Sequence, residues 1–247
     1  MDTTDPKIIF DENGVCNHCK EYDDIKNKFI FRDDTARYTE QHYFGSGCDI
    51  KVAEIVKKIK LDGVNKKYDC VIGLSGGIDS SFVLFKSIEL GLRPITFHID
   101  NEWDSPIAID NLNRIINKLN VPIVNIKVDW EEFKDLQLSF LKSSTPDIEV
   151  PTDHAVIAIP YKFAKDQNVK YIITGYNYRT ETHIPRSWSS PGQPDWVYIS
   201  KMQKRFGSKP LTTFTHISPI QYVLRTLYSP IEKIDLLNYL DYNKKDA

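Results

Sequence analysis

The sequence predicts an α/β fold, a parallel twisted sheet with helices on both faces. Three observations predict it. From residue 69 onward, short apolar runs of strand type alternate with longer stretches of helical periodicity. The first of those runs passes through a glycine- and serine-rich turn directly into a helix. The 247 residues are 41% hydrophobic and 27% charged, an ordinary balance for one large domain or for a core domain with an appendage. Alternation of this kind implies right-handed crossovers onto a parallel sheet. Ligands of such sheets sit beyond the carboxyl ends of the strands, so each turn that follows a strand is a candidate site.

The elements follow in order. Residues 1–50 are irregular, with turn signals at Glu12-Asn13-Gly14 and Gly45-Ser46-Gly47, and read as an N-terminal extension. Residues 51–61 place Val52, Ile55, Val56 and Ile59 on one helical stripe with lysines elsewhere. Residues 70–74 form a short buried strand and 80–90 a helix. Residues 94–99 are the next strand. The helix over 107–119 gathers Ile109, Leu112, Ile115, Ile116 and Leu119 on one side. A third strand spans 123–128, helices span 130–141 and 153–165, and a fourth strand spans 171–174. The chain divides into the extension (1–50), the α/β domain (51–185) and a mostly helical C-terminal region (186–247) for substrate or partner contacts.

Thirty-two Lys and Arg against 34 Asp and Glu give a formal net charge of −2, without the basic excess of a nucleic-acid-binding or anionic-membrane protein. No apolar run approaches the roughly 20 residues of a membrane helix. The opening Met1-Asp2-Thr3-Thr4-Asp5-Pro6 lacks a basic segment followed by an apolar one, so a cytoplasmic chain is expected. Four cysteines do not make a disulfide scaffold. Cys16 and Cys19 form a C-x-x-C, the spacing of half a tetrahedral zinc site, which Cys48, His18 or His42 would have to complete. The alternative is a pair of reduced thiols with no ligand. A redox motif fits less well, because no strand leads into the pair.

The turn after the first strand carries the chemistry. Gly73-Leu74-Ser75-Gly76-Gly77-Ile78-Asp79-Ser80-Ser81 runs from strand to helix. Adjacent glycines let successive N–H groups point inward, and the helix adds its N-terminal donors and positive dipole end. Ser75, Ser80 and Ser81 add hydroxyls. Together they form a cradle for phosphate or pyrophosphate. It is not a Walker A loop, since the Gly-Lys-[Ser/Thr] ending is missing, nor is it G-x-G-x-x-G. Asp79 would repel bare phosphate, so it either holds Mg²⁺ beside the phosphates or braces the loop. The bland alternative is a plain strand-to-helix turn with a serine cap.

Ser75-Gly76-Gly77-Ile78-Asp79-Ser80 after an apolar strand resembles the S-G-G-x-D-S loop of the N-type ATP pyrophosphatases, the PP-loop superfamily. There the loop binds the pyrophosphate of ATP while AMP is transferred to a substrate oxygen. Further segments are similar to the N-acetyl sugar amidotransferases of the WbpG/PseA type. These are Phe10 to Cys19, Val128-Asp129-Trp130-Glu131-Glu132-Phe133, Pro151-Thr152-Asp153-His154-Ala155, Gly175-Tyr176-Asn177-Tyr178 and Leu240-Asp241-Tyr242-Asn243-Lys244. The resemblance spans nearly the whole chain. It implies an ATP-dependent enzyme, with Mg²⁺, that converts the acetamido group of an acidic N-acetylated sugar or nucleotide sugar into an acetamidino group. Such enzymes act in lipopolysaccharide O-antigen or flagellin-glycan synthesis. Members usually carry a further C-x-x-C just before the point where this chain begins and continue past Ala247, which would account for a half zinc site. Cys70 opens a strand expected to be buried and Cys48 lies in a glycine turn, so no glutaminase nucleophile is visible. The resemblance therefore implies a separate ammonia-supplying glutaminase partner, like the two subunits of imidazole glycerol phosphate synthase.

A second rank of residues lies at the other strand ends. His98, Asp100 and Asn101 end the second strand, where the superfamily contacts adenosine; Asp100 and Asn101 would otherwise cap the next helix. Thr174, Gly175 and Asn177 follow the fourth strand, with Gly175 either admitting the nucleotide or serving as a bare turn. Thr152 or Asp153 would cap a helix, while His154 is a candidate proton carrier toward the substrate amide. Arg179 is a candidate for phosphate or a sugar carboxylate and Glu181 for orienting ammonia, against solvated loop charges as the alternative. Arg186, Lys201, Lys204 and Arg205 would form a basic rim, and Trp188 and Trp196 a loop over the sugar or merely its anchor. Two rival readings remain: a tRNA sulfurtransferase of the same superfamily, and a noncatalytic nucleotide-binding subunit of a glycan-assembly complex.

Overall fold

A computed structural model describes residues 3–29, 47–181 and 193–245. His42, Arg186 and Trp188 lie outside the described residues, as does the side chain of Cys48. Five parallel strands form one sheet: β1 (Cys70–Gly73), β2 (Pro94–Asp100), β3 (Ile123–Lys127), β4 (Tyr171–Thr174) and β5 (Glu232–Asp235). The strand order is β3-β2-β1-β4-β5, with registers such as Val71 beside Ile95 and Ile72 beside Ile173.

The helices in chain order are α1 (Asn17–Phe29), α2 (Gly47–Asp62), α3 (Ile78–Glu89), α4 (Pro106–Leu119), α5 (Trp130–Lys142), α6 (Val150–Asp166), α7 (Tyr178–Glu181), α8 (Trp196–Phe206) and α9 (Pro219–Tyr228), with a 3₁₀ turn over Leu236–Tyr239. Successive strand residues feed opposite cores, as the pleat demands. Cys70, Ile72, Tyr171 and Ile173 meet Val52 and Ile59 of α2, Leu84 of α3 and Leu112 of α4. Val71 and Ile172 face the other way, onto Phe133 and Phe140 of α5, Ile159 of α6 and Ile199 of α8.

The chain steps outward from β1 to β2 to β3 with α3 and α4 on one face. It then crosses by α5 and α6 on the opposite face to β4, on the other side of β1. The direction of winding therefore reverses between β1 and β4, where doubly wound sheets open a crevice at the carboxyl ends of their strands.

The predicted elements are present, with shifted starts. α6 begins at Val150 because Pro151 fits the first turn, where its missing N–H costs nothing. α4 begins at Pro106 behind Ser105, whose side chain accepts from the Ala108 N–H. The sequence reading contains no strand at Glu232–Asp235. That segment offers one buried apolar residue, Ile234, among charges, which is too little alternation to announce an edge strand.

A carboxylate pair on α5 ties the C-terminal segment down. Asp135 accepts from the Ser208 and Lys209 N–H groups at 2.8 Å each, the Ser208 hydroxyl at 2.6 Å and Gln203 Nε2 at 2.5 Å. Glu132 accepts from the backbone N–H groups of Thr212, Thr213 and Phe214 and from the Thr212 hydroxyl. Both carboxylates are buried.

Candidate functional site

The turn between β1 and α3 lies at this reversal point. Leu74 is held from both sides, its N–H donating to the Phe97 carbonyl at 2.8 Å and its carbonyl 2.8 Å from His98 Nδ1. Gly76 has φ +73°, and a Cβ there would stand 2.2 Å from the Ala108 carbonyl oxygen, so only glycine lets the turn lie against the start of α4. Gly77, extended at φ −85° and ψ 164°, is the N-cap of α3 and brings no capping side chain. The first-turn N–H groups of α3 thus lack the partner a Ser or Asp cap would give them. The Ser75 and Ser80 hydroxyls stand 3.2 Å apart, Ser80 Oγ donates to the Gly77 carbonyl at 3.1 Å, and the Gly77 N–H reaches Ser75 Oγ at 3.4 Å. Ser75 and Gly77 are exposed. Ser81 continues the helix, its N–H donating to the Gly77 carbonyl at 3.1 Å. The bland alternative of a serine cap is not what the turn adopts.

Opposite, the end of β4 presses on the same helix start. A Cβ on Gly175 would come within 2.8 Å of the Asp79 carbonyl carbon. Buried Asn177 reaches Asp79 Oδ1 at 3.3 Å through Nδ2, and Thr174 Oγ1 donates to Asp235 Oδ1 at 2.5 Å. Asp79 also accepts from the Tyr242 hydroxyl at 2.6 Å and from Lys244 Nζ at 3.0 Å. Burial pushes the Asp79 carboxyl up, but Tyr242 and Lys244 outweigh it and hold the group below the ordinary carboxylate range. Glu181 closes α7 nearby. Partial desolvation, then the charge of Asp79, raises its carboxyl above the ordinary range.

The structure thus brings Gly73 to Ser81, Thr174, Gly175, Asn177 and Glu181 together at the carboxyl ends of β1 and β4. It adds Asp235, Tyr242 and Lys244, which sequence reasoning did not select; the closing Leu240-to-Lys244 segment of the resemblance was the signal for Tyr242 and Lys244, and Asp235 had none. Arg179 is engaged at the back of this region, donating from NH1 to the Leu237 carbonyl at 3.1 Å and lying 4.6 Å over the Tyr178 ring.

His98 bridges Leu74 to Asp104, its Nε2 3.1 Å from Asp104 Oδ2, and is buried. Asp100 and Asn101 do not cap α4, a job Ser105 performs. They accept instead from the N–H groups of Glu102 and Trp103 within their own turn, at 3.3 and 3.2 Å. His98 and Asp100 line a cavity of about 560 Å³ on the α4 side of β2 and β3.

His154 is placed differently from the proton-carrier expectation. It is fully buried, with Nδ1 2.7 Å from the Gln193 carbonyl and Nε2 accepting the Ile217 N–H at 3.1 Å. Burial depresses its pKa, and stacking against Trp196 and Phe214 completes a core environment. Both ring nitrogens are spent on backbone groups, which makes His154 a positioning residue for the C-terminal segment in this geometry. Its neighbour Asp153, raised to about 6 by burial and then by Asp147 and Glu149, accepts from Gln193 Nε2 at 2.5 Å.

The sulfurs of Cys16 and Cys19 lie 3.4 Å apart at the start of α1, close enough to share an ion. His18 turns instead to Asp5, at 2.6 Å. Among the described residues no group of three or more His, Cys, Asp or Glu could hold a metal. Two cysteine sulfurs make only half of a four-ligand zinc site. Cys70 is fully buried, and burial, then Asp69, pushes its thiol far up, as an inert core cysteine requires. Among the described residues, no helix is long and apolar enough to cross a membrane.

Fold and turn together define a doubly wound parallel α/β protein with a glycine- and serine-rich turn at its point of reversed winding. No protein-family profile and no curated protein matches the chain. Solved structures that it is similar to include an NMN synthetase from Francisella tularensis (18% identity, TM-score 0.41, 54% of this chain and 56% of that one). An NH3-dependent NAD synthetase from Campylobacter jejuni gives 18%, 0.39, 53% and 57%. A glutamine-dependent NAD+ synthetase from Acinetobacter baumannii gives 15%, 0.45, 60% and 28%. The chain spans little more than half the length of the first two and under a third of the third.

Proposed function

We propose that the turn from Ser75 to Ser81 binds the pyrophosphate half of ATP and that the protein is an ATP-dependent, AMP-forming amidotransferase acting on an N-acetylated sugar. One observation carries the reading: a glycine-gated turn delivers the uncapped N-terminus of α3, with exposed Ser75, to the carboxyl ends of β1 and β4, where the winding of the sheet reverses. The amidating chemistry and the acetamido substrate come from the resemblance of the sequence segments.

An amide carbonyl resists ammonia because its oxygen leaves poorly. In the proposed reaction the acetamido oxygen attacks the α-phosphorus of ATP and pyrophosphate departs, giving an imidate-like AMP ester. Ammonia then adds to the carbon, and AMP leaves with the former amide oxygen, so the product is an amidine. The chain's part is to orient the two reactants and receive the negative charge on the departing pyrophosphate through backbone N–H groups, serine hydroxyls and Lys244.

Asp79 braces the turn through Tyr242, Asn177 and Lys244. Oδ1 is fully engaged, whereas Oδ2 keeps a lone pair through which Asp79 would hold a Mg²⁺ bound to the phosphates, whose charge would offset theirs. Thr174, Gly175 and Asn177 form the opposing wall, and His98, Asp100 and Asn101 the edge toward the nucleoside. Glu181 would orient ammonia, supplied by a separate glutaminase partner.

The test uses an acetamido sugar labelled with ¹⁸O in its carbonyl, ATP and ammonium. Pyrophosphate, ¹⁸O-labelled AMP and an amidine product lighter than unlabelled substrate by about one dalton are expected. Pyrophosphate release without label in AMP would refute the acetamido acceptor. Absence of ATP binding would refute the whole assignment.

A further inference from the structure

On the rim beyond β2 stands Trp103, which the site described above does not use. It is 65% exposed. A lone exposed apolar residue needs no explanation, but an exposed indole fixed from two sides does. Its Nε1–H donates to Gln137 Oε1 of α5 at 2.7 Å, and its ring meets Trp130 edge-on at 5.9 Å and 75°. Trp130 is itself packed against the core under the sheet, so the platform is founded on rigid structure.

Its position is informative. Trp103 belongs to the turn that leads to α4, on the face of the Ser75 turn, yet its indole reaches across the rim to α5 on the opposite face. Its neighbour Asp104 binds His98, which binds the Leu74 carbonyl, so the platform is coupled to the root of the Ser75 turn. On the far side the rim is polar. Gln137 Nε2 lies 3.5 Å from Thr152 Oγ1, and next to Thr152 comes Asp153 with its Gln193 partner.

We infer that Trp103 is the stacking platform for the pyranose ring of the acceptor sugar, with Gln137, Thr152 and Asp153 reading its hydroxyl and amide groups. This rests on the proposed function for the reaction but not for the binding event. A pyranose presents one C–H-rich face and a perimeter of hydroxyls. A broad apolar plate bordered by amide, hydroxyl and carboxyl side chains matches that pattern. Adenine would also stack, but the amide, hydroxyl and carboxyl border offers partners to ring hydroxyls and an acetamido group, and the AMP titration separates the two.

Isothermal titration calorimetry of the full chain tests it. N-acetylglucosamine, N-acetylglucosaminuronic acid, N-acetylneuraminic acid and AMP are titrated separately into wild type, Trp103→Phe and Trp103→Ala. A saturable heat change with at least one acetamido sugar is expected in wild type. Its affinity should fall about tenfold in Trp103→Ala and less in Trp103→Phe, while AMP affinity stays within twofold. Trp103→Phe keeps an aromatic ring and guards against misfolding of the alanine variant. A loss confined to AMP would assign the platform to the base and overturn the inference. Sugar binding unchanged in both variants, or no response to any of the sugars, would overturn it equally. Failure of wild type to bind ATP would refute the proposed function, whereas the sugar titrations decide Trp103 on their own.

Discussion

Tyr242 donates its hydroxyl to Oδ1 of Asp79 at 2.6 Å, joining positions 163 residues apart. Lys244 adds a second tie to Oδ2 at 3.0 Å, so the closing segment latches the first turn of α3. The buried ring of Tyr242 packs on Phe82 of the same helix, 5.2 Å between centroids. Tyr242→Phe keeps that packing and removes the bond. A loss of about 1–2 kcal/mol in urea unfolding is expected, with several-fold weaker ATP binding by calorimetry. Unchanged ATP affinity would show that the latch is irrelevant to the site.

Gly76 and Gly175 leave no room for a methyl group. Gly76→Ala combines a left-handed φ with a Cβ 2.2 Å from the Ala108 oxygen, and Gly175→Ala drives a methyl into Asp79 at 2.8 Å. Both variants should lose at least 2–3 kcal/mol of stability, by roughly the strain and overpacking costs of such positions. Gly175→Ala, without the φ penalty, should remain folded and lose ATP binding more than stability. Wild-type nucleotide affinity in that variant would place the nucleotide elsewhere.

His154 should behave as a structural residue. Its folded pKa lies below its unfolded one, so its contribution is complete above about pH 6.5 and is lost as pH falls through the folded value. His154→Ala should cost about 2–4 kcal/mol in denaturant melts, from the orphaned Ile217 N–H and the cavity. The pH dependence of pyrophosphate release near neutrality should keep its wild-type shape. A limb near pH 6–7 that vanishes in the variant would restore the proton-carrier role.

Acid should release the C-terminal segment. Burial raises Glu132 and Asp135, but the donors from residues 203–214 overcome it, and both folded pKa values are depressed. Their stabilisation is therefore complete above about pH 4.5 and disappears as pH falls through the folded values. Asp135→Asn should cost about 2–4 kcal/mol at neutral pH and flatten the acid limb of a plot of urea midpoint against pH. The same slope in wild type and variant would contradict the assignment.

Reading along the chain located most of this framework. The strand-to-helix alternation announced β1 to β4 and their helices because each element buries a local apolar stripe. The Ser75 turn was legible because glycine pairs and helix starts act through adjacent residues. His154 was not legible, since a histidine before a helix looks alike whether it faces substrate or, as here, two backbone groups from residues 193 and 217. Nor was β5, whose single buried residue, Ile234, reads as loop until β4 supplies its hydrogen bonds.

The sequence alone determined what depends on near neighbours: the order of elements, the apolar face of each helix, and the glycine turn with its donors. The tertiary structure alone decided which distant side chains share one carboxylate. Whether Asp79 meets a metal, solvent or Tyr242 depends on a chain reversal that returns residue 242 to residue 79 through a fifth strand. Local propensities carry no record of such closure, because its geometry arises only when the sheet is assembled and both cores are filled.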